Sequence, residues 1–197
     1  MTGSTTTRLA DGVALFDQSA SYALDAMAGI TAADLDRPTP CPGWDLRALL
    51  LHLADSADAL ANVITTGTMT LTATPQPDAD AVAVARDRTH HLRDALKTAV
   101  QRDTLGPAAA EHVRWATSAA HGAAIEFAAH GWDISTTCGM DRQIRTGHAS
   151  ELLALSRSLI SDDTRAPRFG PPVSVPAGAT PNDRLIAFLG RQPATRG

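Results

Sequence analysis

The chain has 197 residues, 44% of them hydrophobic but only 4% aromatic, and a formal net charge of −4. That length supports one domain with a full core, or a domain plus a small appendage. No block of Lys or Arg offers a footprint for DNA or RNA, no run approaches the roughly 18 apolar residues of a membrane span, and no basic segment leading into an apolar stretch marks a signal peptide. Two cysteines, Cys41 and Cys138, lie far apart without a CxxC pair, a pattern that fits thiols in a reducing compartment. The expectation is a cytoplasmic protein with neither a nucleic-acid nor a membrane partner, monomeric or homodimeric.

Between about Thr7 and Gly29, the residues Leu9, Val13, Phe16, Ala20, Leu24 and Met27 recur every three or four positions. That period predicts an amphipathic helix. From Thr31 to Gly43 the alternation Pro38, Pro40, Pro42 predicts an extended, stiff connector. Asp45 then reads as the N-cap of a second helix from Leu46 to about Ile64, with Trp44 and Leu49 at the two positions of a hydrophobic staple. Thr68 to Pro77 reads as a loop, after which Asp78 or Asp80 caps a third helix reaching about Leu105. A fourth helix is expected from Val113 to Thr137, with Gly139 as its C′ residue. Thr146 starts a fifth. Val173 and Val175 alternate as a short extended piece, and Thr180-Pro181-Asn182-Asp183 is a helix start with cap, proline at N1 and acid at N3. The expected fold class is all-α: an up-and-down four-helix bundle over 1–162, with 163–197 as a short C-terminal appendage of an extended piece plus a short helix.

The chemistry-bearing stretch is Ile125-Glu126-Phe127-Ala128-Ala129-His130-Gly131-Trp132-Asp133. At about 100° per residue, Glu126 and His130 stand about 40° apart around a helix and one turn along it. Such a pair can be an ordinary surface contact. Here Glu126 is flanked by Ala123, Ala124, Ile125, Phe127, Ala128 and Ala129, and an unpaired carboxylate in that setting would be costly. A divalent cation would satisfy it. The third ligand is expected from His52, a lone histidine in the most apolar run, Leu49-Leu50-Leu51-His52-Leu53; taken alone, His52 reads by default as a hydrogen-bonded core histidine. Asp133, three residues beyond His130, either orients that imidazole as an outer partner or helps end the helix. Cys41 reads as a packed small side chain rather than a nucleophile. Arg114, Trp115 and the Thr68–Thr74 segment are weaker candidates for the wall at the mouth of the bundle.

Pro38-Thr39-Pro40-Cys41-Pro42-Gly43-Trp44-Asp45-Leu46-Arg47 with His52, the box His130-Gly131-Trp132-Asp133, and the closing Asp183-Arg184-Leu185-Ile186-Ala187-Phe188-Leu189-Gly190-Arg191 together resemble the DinB/YfiT-like superfamily. The resemblance is to an actinobacterial branch related to the N-terminal domain of mycothiol-dependent maleylpyruvate isomerase. It implies a four-helix bundle holding a divalent metal through three side chains, matched here by His52, Glu126 and His130. It also implies thiol-dependent transferase or isomerase chemistry with mycothiol, bacillithiol or a similar cosubstrate. The maleylpyruvate isomerase carries a larger C-terminal domain that contributes to its active site. A shorter stretch follows Asp133 here, so that substrate is not implied.

Three protein ligands leave open positions, as catalytic metals require. The leading expectation is a metal-dependent, mycothiol-type thiol S-transferase or thiol-assisted isomerase acting on a small-molecule electrophile. Alternatives are a small-molecule biosynthetic enzyme using Lewis-acid or pocket catalysis, and a non-catalytic metal or small-molecule binding (resistance) protein. Zinc comes first as the metal; nickel, iron and manganese also suit one carboxylate and two imidazoles.

Overall fold

In the computed structural model, residues 3–66, 80–105, 110–140 and 142–193 are described. Among them every regular element is helical: α1 (Gly3–Met27), α2 (Leu46–Thr66), α3 (Ala81–Leu105), α4 (Ala110–Thr137), α5 (Thr146–Leu159), α6 (Asp162–Arg165) and α7 (Pro181–Phe188), with a 3-10 turn at Ala32–Asp34. The fold class is all-α, as the periodicity predicts. By their contacts the residues fall into two compact units, parting between Met140 and Asp141. Helix α5 therefore groups with the C-terminal unit, where it packs on α7, although the sequence reading placed it in the first domain.

The first unit is a four-helix bundle. Helix α4 packs along both α1 and α2, and α3 packs on the other side of each. Consecutive helices α1 and α2 thus stand across the bundle, and the connector between them spans it. The buried residues follow the helical period: Leu9, Val13, Phe16 and Ala20 on α1, Leu46, Leu49, Leu50 and Leu53 on α2, and Ala85, Leu92 and Leu96 on α3. Each fully buried leucine contributes about 2 kcal/mol relative to exposure. Phe16 and Phe127 meet edge to face with centroids 5.3 Å apart, joining α1 to α4. Two ion pairs tie α3 to its neighbours: Arg93 to Asp17 and Arg88 to Asp58, both at 2.9 Å.

Small residues let α4 come close to α1. Ala116, Ala120, Ala123, Ala124 and Ala128 on α4 are buried. At Gly131 a Cβ would lie 2.8 Å from Tyr22 Cδ1 and 3.1 Å from the Ala23 backbone, so only glycine fits this crossing without a shift. The helix ends in a Schellman motif. Met140 N–H bonds Ser135 O, Gly139 N–H bonds Thr136 O, and Gly139 adopts φ +66°.

The connector departs from expectation. Rather than running extended, it folds back on itself before α2. Pro38 and Asp45 form an antiparallel bridge, Thr39 N–H bonds Trp44 O, and Leu46 N–H bonds Arg37 O. The reversal is a turn over Cys41-Pro42-Gly43-Trp44, closed by Trp44 N–H to Cys41 O. Proline at the second position and glycine at φ +80° in the third are what a type II turn demands. Asp45 caps α2 as predicted, its Oδ1 accepting from Ala48 N–H at 2.7 Å. Asp80 likewise caps α3, accepting from Val82 and Ala83 N–H. The loop read at Thr68 to Pro77 and the helix stop read after Leu105 lie outside the described residues.

In the second unit, Thr180 Oγ1 accepts from Asp183 N–H at the start of α7, the cap expected there. The expected extended piece at Val173 and Val175 forms no strand; Val173 N–H bonds Ala187 O instead. Asp162–Arg165 is a short helix not foreseen from the sequence. Buried Arg165 donates to the carbonyls of Gly170 and Phe188 and stacks its guanidinium 4.7 Å from the Phe188 ring.

Candidate metal centre

Helices α2 and α4 bring the predicted trio together. His52 sits on the flank of the α2 leucine stripe, and its Nε2 lies 2.9 Å from Glu126 Oε1 on α4. One turn further along α4, His130 points Nε2 at the same oxygen, 3.4 Å away. The three donor atoms all lie within 4.8 Å of one another. Metal–ligand bonds of about 2.0–2.1 Å in tetrahedral geometry separate donors by roughly 3.3 Å, so the observed spacings fit a single divalent cation after small adjustments. Ser56, one turn after His52 on α2, also donates to Glu126 Oε1, at 3.2 Å. This hydroxyl carries the same i,i+4 signal as the Glu126–His130 pair, and the sequence reading did not use it.

The electrostatics make the same point. Burial alone would raise the Glu126 carboxyl, but the charge on His130 and hydrogen bonds from His130 and His52 outweigh it. The net result holds the carboxyl well below its ordinary value. For His130, burial acts to lower the value. The Glu126 charge and hydrogen bonds to Asp133, Cys41 and Glu126 override it and raise the imidazole well above its ordinary range. With Nδ1–H committed to Asp133, a neutral His130 would turn its Nε2 lone pair toward a carboxylate oxygen. A proton or a metal cation must lie between them.

Behind His130 is a second layer. Asp133, fully buried, accepts from His130 Nδ1–H at 2.9 Å. That contact selects the tautomer whose Nε2 faces Glu126. Cys41 donates its S–H to the same Asp133 oxygen at 3.2 Å, and its sulfur lies 3.9 Å from His130 Nδ1. Cys41, His130 and Asp133 thus form a second group with donors within 4.8 Å, on the opposite edge of the same imidazole. Cys41, read from the sequence as a packed small side chain rather than a nucleophile, is partly buried and makes a polar contact. Trp44 completes the wall. Its ring lies 4.5 Å from that of His52 and, at a 29° interplanar angle, 6.3 Å from that of His130.

The remaining described candidates lie elsewhere. Arg114 and Trp115 are exposed, about three turns before Glu126 and about 17–18 Å from it along the helix. His90 and His91 are exposed on α3. His121 packs against Gly12 of α1, where a Cβ would sit 3.1 Å from its ring. His148 is buried in the first turn of α5, in the other unit.

No match was found among curated proteins or solved structures. A family model, the mycothiol maleylpyruvate isomerase N-terminal domain, matches residues 16–135, from the middle of α1 to the last turn of α4. With more than half of its length matched and its trio assembled on a four-helix bundle, the chain belongs to the mycothiol maleylpyruvate isomerase N-terminal domain family, within the DinB/YfiT-like superfamily.

Proposed function

We propose that this protein is a divalent-metal-dependent enzyme that uses a low-molecular-weight, mycothiol-type thiol for S-transfer to, or isomerisation of, a small electrophile. The supporting observation is the convergence of His52 Nε2, Glu126 Oε1 and His130 Nε2 on one point. In this reading those three residues are the metal ligands and Asp133 is an outer partner.

A divalent metal held there would lower the pKa of an added thiol and favour its thiolate. The chain's own side chains set the conditions for that chemistry. Glu126 supplies one negative charge against a divalent cation, which keeps the centre electrophilic. Ser56 holds that carboxylate from α2. Asp133 keeps Nδ1 of His130 protonated and Nε2 available. Trp44 lays an apolar ring across both imidazoles and limits water on that side. His52 is the most open of the three, its side chain 36% exposed against 8% for His130, so cosubstrates approach from its side. Zinc suits this donor set best, and nickel, iron or manganese are accepted by the same ligands.

Elemental analysis of untagged protein, beside folded His52→Ala and His130→Ala variants, tests the centre. Near-stoichiometric divalent metal in the wild type, lost in both variants, is the expected result. A screen of thiols against electrophiles then tests the reaction. Turnover that requires a thiol supports the proposal; thiol-independent turnover would indicate Lewis-acid chemistry, and ligand binding without turnover a sequestering protein. A wild-type chain that binds neither zinc nor nickel would sink the metal centre.

A further inference from the structure

We infer that Cys41 is a positioning residue for the metal centre, fixing His130 through Asp133 from the turn that precedes α2. The inference rests on the metal-site reading above and adds to it a residue contributed by the connector rather than by the bundle.

Asp133 is fully buried and has no access to water. A carboxylate in that position needs donors from the protein, and the loss of one weakens the hold on the group. Oδ2 accepts from two groups on different elements, His130 Nδ1–H of α4 and the Cys41 thiol of the connector. A thiol is a weak donor. It steadies the carboxylate yet leaves most of its negative charge directed at His130.

The turn that carries Cys41 is itself held rigidly. Cys41 N–H donates to Thr39 Oγ1, Thr39 Oγ1–H reaches Trp44 O at 2.9 Å, and the Pro38–Asp45 bridge joins the turn to the start of α2. One four-residue turn therefore touches His130 twice, with the Cys41 sulfur beside Nδ1 and the Trp44 ring alongside the imidazole. The thiol lies at the Nδ1 edge, while His52 and Glu126 converge on Nε2. Cys41 thus supports the ligand and is not one itself.

The test compares the full-length wild type with Cys41→Ala and Cys41→Ser, each checked for folding by circular dichroism. Zinc affinity is measured by competition with a chromophoric chelator, and cobalt(II) is loaded as a spectroscopic probe. The expected result is zinc affinity about tenfold weaker in Cys41→Ala, the lower end of what outer partners of metal ligands contribute. Cys41→Ser, whose hydroxyl can still donate to Asp133, should recover most of the loss. The cobalt-loaded wild type should show ligand-field bands without a near-ultraviolet thiolate-to-cobalt band. Unchanged affinity in Cys41→Ala, or no recovery in Cys41→Ser, would overturn the positioning role while leaving the metal centre standing. A thiolate-to-cobalt band in the wild type would overturn it too, by making Cys41 a ligand with His130 and Asp133; that readout decides even if Cys41→Ala fails to fold. A wild type that binds no zinc would remove both the inference and the reading beneath it.

Discussion

His52 and His130 stand edge to face, with ring centroids 5.2 Å apart and planes at 82°, and both direct Nε2 at Glu126 Oε1. Two helices thus aim three donors at one point, and the charge balance there depends on Glu126. Replacing it by Gln keeps the shape and removes the charge. Glu126→Gln should weaken zinc binding by more than the roughly 10–100-fold that outer partners cost. It should also lower the titration of His130 in the metal-free protein, since the Glu126 charge is the largest influence holding that imidazole up. Chelator competition checks the first outcome and NMR titration of the imidazole the second.

The same pair fixes a pH signature for metal-free protein. His130 titrates above its ordinary 6.5 when folded, so its contribution is complete below 6.5 and is lost as pH rises through the raised value. Glu126 titrates below its ordinary 4.5, so its contribution is complete above 4.5 and is lost as pH falls through the lowered value. The pair is therefore fully stabilising between about pH 4.5 and 6.5. Above that window the metal-free protein should lose stability in urea, and the loss should flatten in His130→Gln. Bound zinc takes over the role of the proton, so the metal-loaded protein should hold its stability to higher pH. A His130→Gln curve parallel to wild type from pH 6.5 to 9 would contradict the assignment.

Gly131 couples packing to the site, because it lies next to His130 in the α1–α4 crossing. Gly131→Ala drives a Cβ to 2.8 Å from Tyr22 Cδ1 and 3.1 Å from Ala23 Cα. The Tyr22 ring can yield, but the Ala23 backbone cannot without moving α1. Overpacking of this kind costs about 1–3 kcal/mol, more than the helix propensity gained by replacing Gly with Ala. Denaturant unfolding should show the net loss, and Tyr22→Ala in the same chain should recover only part of it.

The trio was legible because the helical period turns sequence spacing into direction. Glu126 and His130 needed only that rule, and His52 stood out as a lone imidazole among leucines. Caps at Asp45 and Thr180 and the Gly139 stop were readable for the same reason: their partners lie within a few residues. The connector was misread because three alternating prolines weigh toward extension, while Pro42-Gly43 is itself a turn signal and prevails once α2 must begin at Leu46. Nothing local could reveal Cys41. Its partner Asp133 is 92 positions away, and only the bundle brings the two together. Ser56 carried the right spacing from His52, but its meaning depends on the Glu126 carboxylate across the interface.

His148 gives the second unit its own pH response. Burial in the first turn of α5 lowers its imidazole to about 4 from the ordinary 6.5, so it is neutral when folded and readily protonated when unfolded. The unfolded chain then binds more protons between those two values, and stability must fall as pH drops from 6.5 through 4. A shift of that size corresponds to about 3 kcal/mol when fully expressed. The effect is opposite in sign to that of His130 and acts at the acid end, so the two are separable in one titration. His148→Gln should reduce the acid sensitivity of α5–α7, read by hydrogen exchange at pH 6.5 and pH 4.5, while leaving zinc affinity unchanged. Equal acid sensitivity in wild type and variant would show that another group carries it.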